Sequence, residues 1–205
     1  MGDLGFLDTA TWLNPPPRVT REGGGLVLET GDTTDFWRET HYGFVHDNGH
    51  FLGRETAEDF TATVTWDAAY AADFDQAGLM VWREAGYWIK AGIELTDGAL
   101  HMSAVVTRMR SDWSTVALPG ATGPQSLRLT RVGGAVIVDY RRPDGRWQFM
   151  RLADFPPGPL RLGLMACSPS RAGLRVTFTD FTVTPPPANP LHPETWDSVP
   201  GLKAG

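Results

Sequence analysis

Lys90 and Glu94 stand in a stretch, WIKAGIEL (88–95), whose other residues are apolar or small. The chain has one further lysine, Lys203, and its remaining permanent cations are arginines. A lone ammonium and a lone carboxylate in such a setting can hold the polar groups of a ligand. They can also serve proton transfer, with Glu94 as acid or base and Lys90 holding charge or lowering a neighbour's pKa. On an extended chain the two point to the same side, ~13 Å apart at ~3.3 Å per residue. They would grip different parts of an extended ligand, or pair with groups on neighbouring strands. Trp88 shares their side. Trp113, in SDWS (111–114), could stack on a sugar ring while Asp112 accepts hydroxyl hydrogen bonds. DFWRET (35–40) sets Trp37 beside Arg38, whose guanidinium can hold a carboxylate in two parallel bonds, as on a uronic acid. Each has a plainer reading: an ordinary solvent-exposed sheet face, an Asp-initiated turn with Trp113 capping the core, and a structural salt bridge for Arg38.

His41, His46, His50 and Asp47 invite comparison with a metal site. Zinc requires three or four ligands converging near ~2 Å, whereas His46 and His50 would lie ~13 Å apart on extended chain unless DNG (47–49) turns it. Surface and turn histidines are the expectation, with no metal. Cys167, the sole cysteine, lies in LGLMACSP and reads as inert core; it leaves no internal disulfide and no cysteine-based zinc site. The chain contains no phosphate-binding GxxxxGK[ST], no dinucleotide GxGxxG after a strand and no GxSxG elbow, so no cofactor is expected.

The elements that must position these residues are strands. Apolar alternation of period two recurs between breaks of Gly, Pro, Asp and Asn, while helical periodicity is almost absent. Strands are expected near 25–30, 42–46, 58–67, 74–82, 86–95, 99–108, 113–118, 125–132, 135–141, 147–153, 160–167 and 173–183. The spacing predicts an all-β fold, a two-sheet antiparallel jelly-roll β-sandwich. It occupies residues 1–184, with 185–205 as an irregular proline-rich tail. Asp97 and Gly98 suit a two-residue hairpin turn, which fixes the register outward: Leu95 against Leu100, Glu94 against His101, Lys90 against Val105, Trp88 against Thr107. One hairpin face is then Leu95, Ile93, Ala91, Ile89, Leu100, Met102, Ala104 and Val106, a core face. The other carries Trp88, Lys90, Gly92, Glu94, His101, Ser103 and Thr107, read here as a groove with an aromatic floor. In the preceding strand the apolar match favours Gln76, Gly78, Met80 and Trp82 on that groove; a shifted register would bring Asp75 there instead.

A net charge of −6 without a basic cluster argues against nucleic acid and anionic membrane surfaces. No apolar run approaches the ~20 residues of a membrane span, and MGDLGFLDTATWLN lacks the regions of a secretory leader. A cytoplasmic location is the expectation.

DFWRETHYGFVHDNGHF (35–51), DQAGLMV (75–81), WIKAGIEL (88–95) and SAVVTRMRSDWS (103–114) together resemble the "regulation of enolase" family of bacteria and fungi. This is a domain-of-unknown-function group with a concanavalin A-like lectin/glucanase fold. The resemblance spans about residues 11 to 183 and implies the same sandwich. It also implies a metabolic-enzyme partner, and places Trp37, Arg38, Thr40, Tyr42, His50, Asp75, Gln76, Lys90, Glu94, Ser111, Asp112 and Trp113 in the family's pattern. Fold kinship does not transfer function. Lectin-fold glucanases carry an E-x-D-x-x-E strand; here the strand has one carboxylate, and Glu94 would need Asp75 or Asp112 as its partner to cleave a glycosidic bond. The expected ligand is a carbohydrate or a small polyhydroxylated or anionic molecule, held by Trp37, Arg38, Tyr42, His50, Gln76, Trp88, Lys90, Glu94, Ser111, Asp112 and Trp113. Hydrolase or lyase chemistry through Glu94, and a regulatory protein-interaction module, are the alternatives.

Overall fold

The computed structural model describes residues 4–191. Its first sheet orders β1 (Thr11–Leu13), β6 (His50–Thr56), β15 (Leu160–Cys167), β8 (Gln76–Glu84), β9 (Tyr87–Thr96), β10 (Ala99–Arg108) and β11 (Arg110–Ala117). The second orders β14 (Trp147–Asp154), β13 (Ala135–Arg141), β12 (Gln125–Val132), β7 (Phe60–Ala68), β16 (Arg175–Thr184), β3 (Gly25–Glu29) and β2 (Arg18–Glu22). A separate ribbon pairs β4 (Phe36–Arg38) with β5 (Val45–Asp47). Neighbours in both sheets run antiparallel. The two-sheet antiparallel sandwich expected from the alternation is the fold found.

The β9–β10 hairpin has the register its turn dictates. Asp97 and Gly98 take φ of 52° and 72°, the pair of positive values that a two-residue turn matched to strand twist requires. Thr96 pairs Ala99, Glu94 pairs His101 and Lys90 pairs Val105. Ile89, Ala91, Ile93, Met102, Ala104 and Val106 enter the core between the sheets, joined from β8 by Ala77, Leu79 and Val81.

The opposite face of the first sheet is where expectation and structure part. It is not an open groove but carries a second apolar cluster of Phe36, Trp37, Phe51, Met80, Trp82, Trp88, Val105, Met165 and Cys167. The lobe around β4 and β5 supplies its lid. A sheet covered on both faces loses its apolar–polar alternation. That is why β6, buried residue after residue from His50 to Gly53, went unread, with only 42–46 expected as strand nearby. There β5 starts at Val45, and 42–44 belong to the connection from β4. β1, β2 and β4 were likewise unforeseen: β2 is exposed along its length, and β1 and β4 have three residues each. SDWS lies within β11, the edge strand of the first sheet beside β10. β16 ends at Thr184; of the expected tail, residues 192–205 lie outside the described residues.

Candidate functional site

Cross-strand rows on the outer face of the first sheet build the floor of a cavity. Gln76 pairs Glu94, and two residues along Gly78 pairs Gly92, which in turn pairs Ser103. The next row runs Met80, Lys90, Val105, Trp113. The glycine pair keeps this floor low: a Cβ on Gly92 would come within 2.0 Å of the Ala77 carbonyl oxygen, and one on Gly78 within 2.1 Å of that of Ala91.

The lobe forms the roof. Phe36 is wedged between Trp82 and Trp88, with ring centroids 5.7 and 5.8 Å away. Burying Phe36 carries the preceding residue, Asp35, over the strand below, where its Oδ1 accepts a hydrogen bond from Lys90 Nζ at 2.8 Å. The same oxygen accepts from the Phe36 amide at 2.7 Å. Polar ties fix the lobe: Asp35 N donates to Asn48 Oδ1 (3.0 Å), Arg38 N to Ser111 Oγ (2.9 Å), and Asn14 Nδ2 to the Asp47 and Gly49 carbonyls. Between floor and roof lies a cavity of about 180 Å³. Asp35, Gln76, Lys90 and Glu94 supply its polar groups; Trp37, Tyr42, Phe44, Phe74 and Trp113 supply aromatic walls, closed by Val105 and Pro169.

Its electrostatics follow from burial. Lys90 and Glu94 are 3% and 5% exposed. Burial opposes the Lys90 charge, but the Asp35 carboxylate, helped by Glu94, outweighs it and holds the ammonium's pKa above the ordinary lysine value. Burial pushes Glu94 above the usual carboxylate range, and Lys90 with hydrogen bonds from Ser103 and Trp113 offsets this only in part. The Trp113 indole N–H divides between Ser103 Oγ at 3.0 Å and Glu94 Oε2 at 3.3 Å.

Of the residues singled out in the sequence, Trp37, Tyr42, Gln76, Lys90, Glu94 and Trp113 meet at this cavity. The others do not. Trp88 is fully buried in the second cluster and offers no stacking face. Arg38 forks onto Asp47 through Nε and Nη2, so its plainer reading as a salt bridge is the one found. His50 lies buried elsewhere: Nδ1 donates to the Asn14 carbonyl (2.8 Å) and Nε2 accepts from the Gly31 amide (2.9 Å). Burial lowers its pKa, matching this neutral role. Ser111 is buried and joins Thr107 and the Arg38 backbone. Asp112, on the alternate side of β11, pairs Arg151 at 3.1 Å. Asp75 is fully buried and bound by Arg171 and Ser168. The carboxylate that joins Glu94 is therefore Asp35, not Asp75 or Asp112. Asp35, Phe44 and Phe74 escaped the sequence reading. For Asp35 a signal existed, since a buried lysine with no carboxylate on its own hairpin partner needs one from elsewhere.

Cys167 lies behind the cavity, fully buried, and burial raises its thiol pKa. Among the described residues no group of three or more His, Cys, Asp or Glu could hold a metal ion, and no helix is long and apolar enough to cross a membrane. A wider surface cleft, about 730 Å³, lies between 117–126 and 140–145. It collects none of the expected site residues, and its arginines are engaged, Arg141 by the Gly145 carbonyl and Arg142 by Asp144.

Residues 12–186 match the family described as "Protein of unknown function (DUF1349)". The chain belongs to that family. A relative, "Regulation of enolase protein 1" of Saccharomyces cerevisiae, is 46% identical over 91% of this chain and 94% of its own length. A crystal structure of a functionally unknown S. cerevisiae protein superposes with a TM-score of 0.84 at 45% identity, covering 89% of this chain and 99% of that one. At 10% identity, a legume lectin-like domain from Entamoeba histolytica has a TM-score of 0.57, covering 86% and 89% of the two chains. This last likeness concerns the fold alone, and it agrees with the lectin-like sandwich of the DUF1349 chain.

Proposed function

We propose that the chain is a small-ligand-binding sandwich whose cavity takes a single polyhydroxylated ring. The observation that carries this reading is convergence: residues from β8, β9, β11, the turn before β8 and the lobe bring four polar groups and five aromatic rings to one cavity. Aromatic faces suit the C–H face of a sugar, and the amide, carboxyls and ammonium suit its hydroxyls. The volume supports one ring and not an extended chain: a cavity of ~150 Å³ holds benzene, whereas drug-sized ligands occupy ~300–1,000 Å³. NMR titration of the Trp113 indole N–H with glucose, xylose, arabinose and glucuronate tests it. At least one should shift the resonance saturably, and Trp113→Ala should abolish the binding; a silent panel refutes the reading.

A second reading, regulation of a metabolic enzyme by contact, draws on the named yeast relative. It is favoured by Tyr42, Phe44 and Val45, which stand 50%, 41% and 49% exposed on the lobe, an apolar rim beside the cavity. Retention of enolase by the immobilised chain, lost in Tyr42→Ala/Phe44→Ala, is the expected result; retention of neither variant nor wild type removes it.

A further inference from the structure

The charges of the cavity do not cancel. Asp35 and Lys90 satisfy one another at 2.8 Å. Glu94, in contrast, is held by neutral donors, the Trp113 indole and the Ser103 hydroxyl, and makes no ion pair among the described residues. Two carboxyl groups thus face one ammonium across a small cavity whose polar floor is buried. The walls add to the same bias. Tyr42 and Phe44 stack at 5.4 Å with 16° between planes, and Trp37 meets Tyr42 edge-on at 5.6 Å. Phe74 meets Trp113 edge-on at 6.5 Å on the other side. Aromatic faces carry negative potential and attract ammonium groups, most strongly where water is excluded. An anion entering this space would meet an unpaired carboxyl, with the charge of Lys90 already spent on Asp35. A cation meets a carboxyl and aromatic faces.

Building on the ring-binding reading above, we infer that the occupant is a ring bearing a protonated amine, an amino sugar. Its ammonium sits on Glu94 and its ring lies against Trp113. Glu94 is then the specificity-determining residue of the cavity. This keeps the carbohydrate expectation and replaces its anionic alternative with a cation, and it accounts for an acidic side chain where burial disfavours its charge: the ligand supplies the missing positive partner.

Three probes sharing one ring decide the matter in calorimetry at pH 6.5: glucosamine, glucose and N-acetylglucosamine. Charge-assisted hydrogen bonds are roughly twice as strong as neutral ones, so glucosamine should bind about tenfold or more tighter than glucose. N-acetylglucosamine, whose nitrogen is uncharged, should not share the gain. Glu94→Gln keeps an acceptor for Trp113 and should erase the preference, leaving glucosamine no tighter than glucose measured on the same variant. Equal affinities for glucosamine and glucose in the wild type overturn the inference, as does a preference that survives Glu94→Gln. In both cases binding of glucose leaves the ring-binding reading standing. Failure of all three probes overturns the inference, and silence of the neutral and acidic sugars as well overturns the reading beneath it. The wild-type comparison is decisive by itself if the variant does not fold.

Discussion

Asp35 and Lys90 illustrate how a buried charge fixes the residues around it. The side chains are 15% and 4% exposed, so removing one partner strands the other in a medium that cannot solvate it. Asp35→Asn should lower stability by about 3–5 kcal/mol in urea denaturation. The double variant Asp35→Leu/Lys90→Met should recover much of that loss, because an apolar pair has no charge to desolvate. Glu94 gives a different outcome. Its folded pKa is raised by burial, so the folded state holds the proton more tightly than the unfolded chain does. The stability this confers is complete below the ordinary glutamate value of ~4.3 and is lost as pH rises through the raised folded value. Glu94→Gln removes the titration. The variant should therefore melt above the wild type at neutral pH, with the gain vanishing as pH falls below the ordinary glutamate range. A gain that is constant with pH would contradict the burial of an ionisable group. Lys90 and Glu94 were legible in the sequence because hairpin register assigns sides residue by residue, Gln76 because the apolar match of its strand leaves it on the same side, and Trp113 from the SDWS motif. Trp88 was misplaced because sidedness does not say what lies opposite: the 31–50 segment folds back and turns its side of the sheet into interior. Arg38, His50, Ser111 and Asp112 are held instead by Asp47, Asn14, Thr107 and Arg151, partners that no local motif announces.

At the scale of strands, β8 and β9 meet most closely at Gly78 and Gly92. A methyl on Gly92 would strike backbone, not a movable side chain, so the strands must separate. Gly92→Ala should cost about 3 kcal/mol or more, at the upper end of overpacking effects. Gly98 is the contrasting control. It has φ of 72° and nothing within 4 Å of an added Cβ, so Gly98→Ala should cost only about 1 kcal/mol of backbone strain. The denaturation midpoints of the two variants rank the effects; equal losses would mean that the glycine pair is not a packing requirement. The turn at 97–98 could be read from two letters, since few residues accept its dihedrals. β6 could not. Its side chains enter the main core and the second cluster alternately, Leu52 in one and Phe51 in the other, and the resulting apolar run carries no period.

In the molecule as a whole, one sheet separates two compartments of unequal strength. The main core is shared by two seven-stranded sheets, whereas the lobe is held by the three pairs of the β4–β5 ribbon, Phe36 and a few side-chain ties. Regions with few apolar contacts open at lower free energy than the global transition. The amides of Glu39, Tyr42 and Gly43, bonded within the lobe, should therefore exchange with deuterium well before those of β8, β9 and β10. Binding in the cavity should slow them selectively; uniform protection across the chain would show that lobe and sandwich open as one. The dividing sheet also offers an unusual opportunity to a designer. Along β9, Trp88, Lys90, Gly92 and Glu94 address one chamber while Ile89, Ala91 and Ile93 address the other. A library randomised at 94, with the Asp35–Lys90 pair left in place, would rewrite recognition and keep the scaffold's own packing letters intact, while a second library at 89, 91 and 93 would tune robustness without redrawing what the chamber admits.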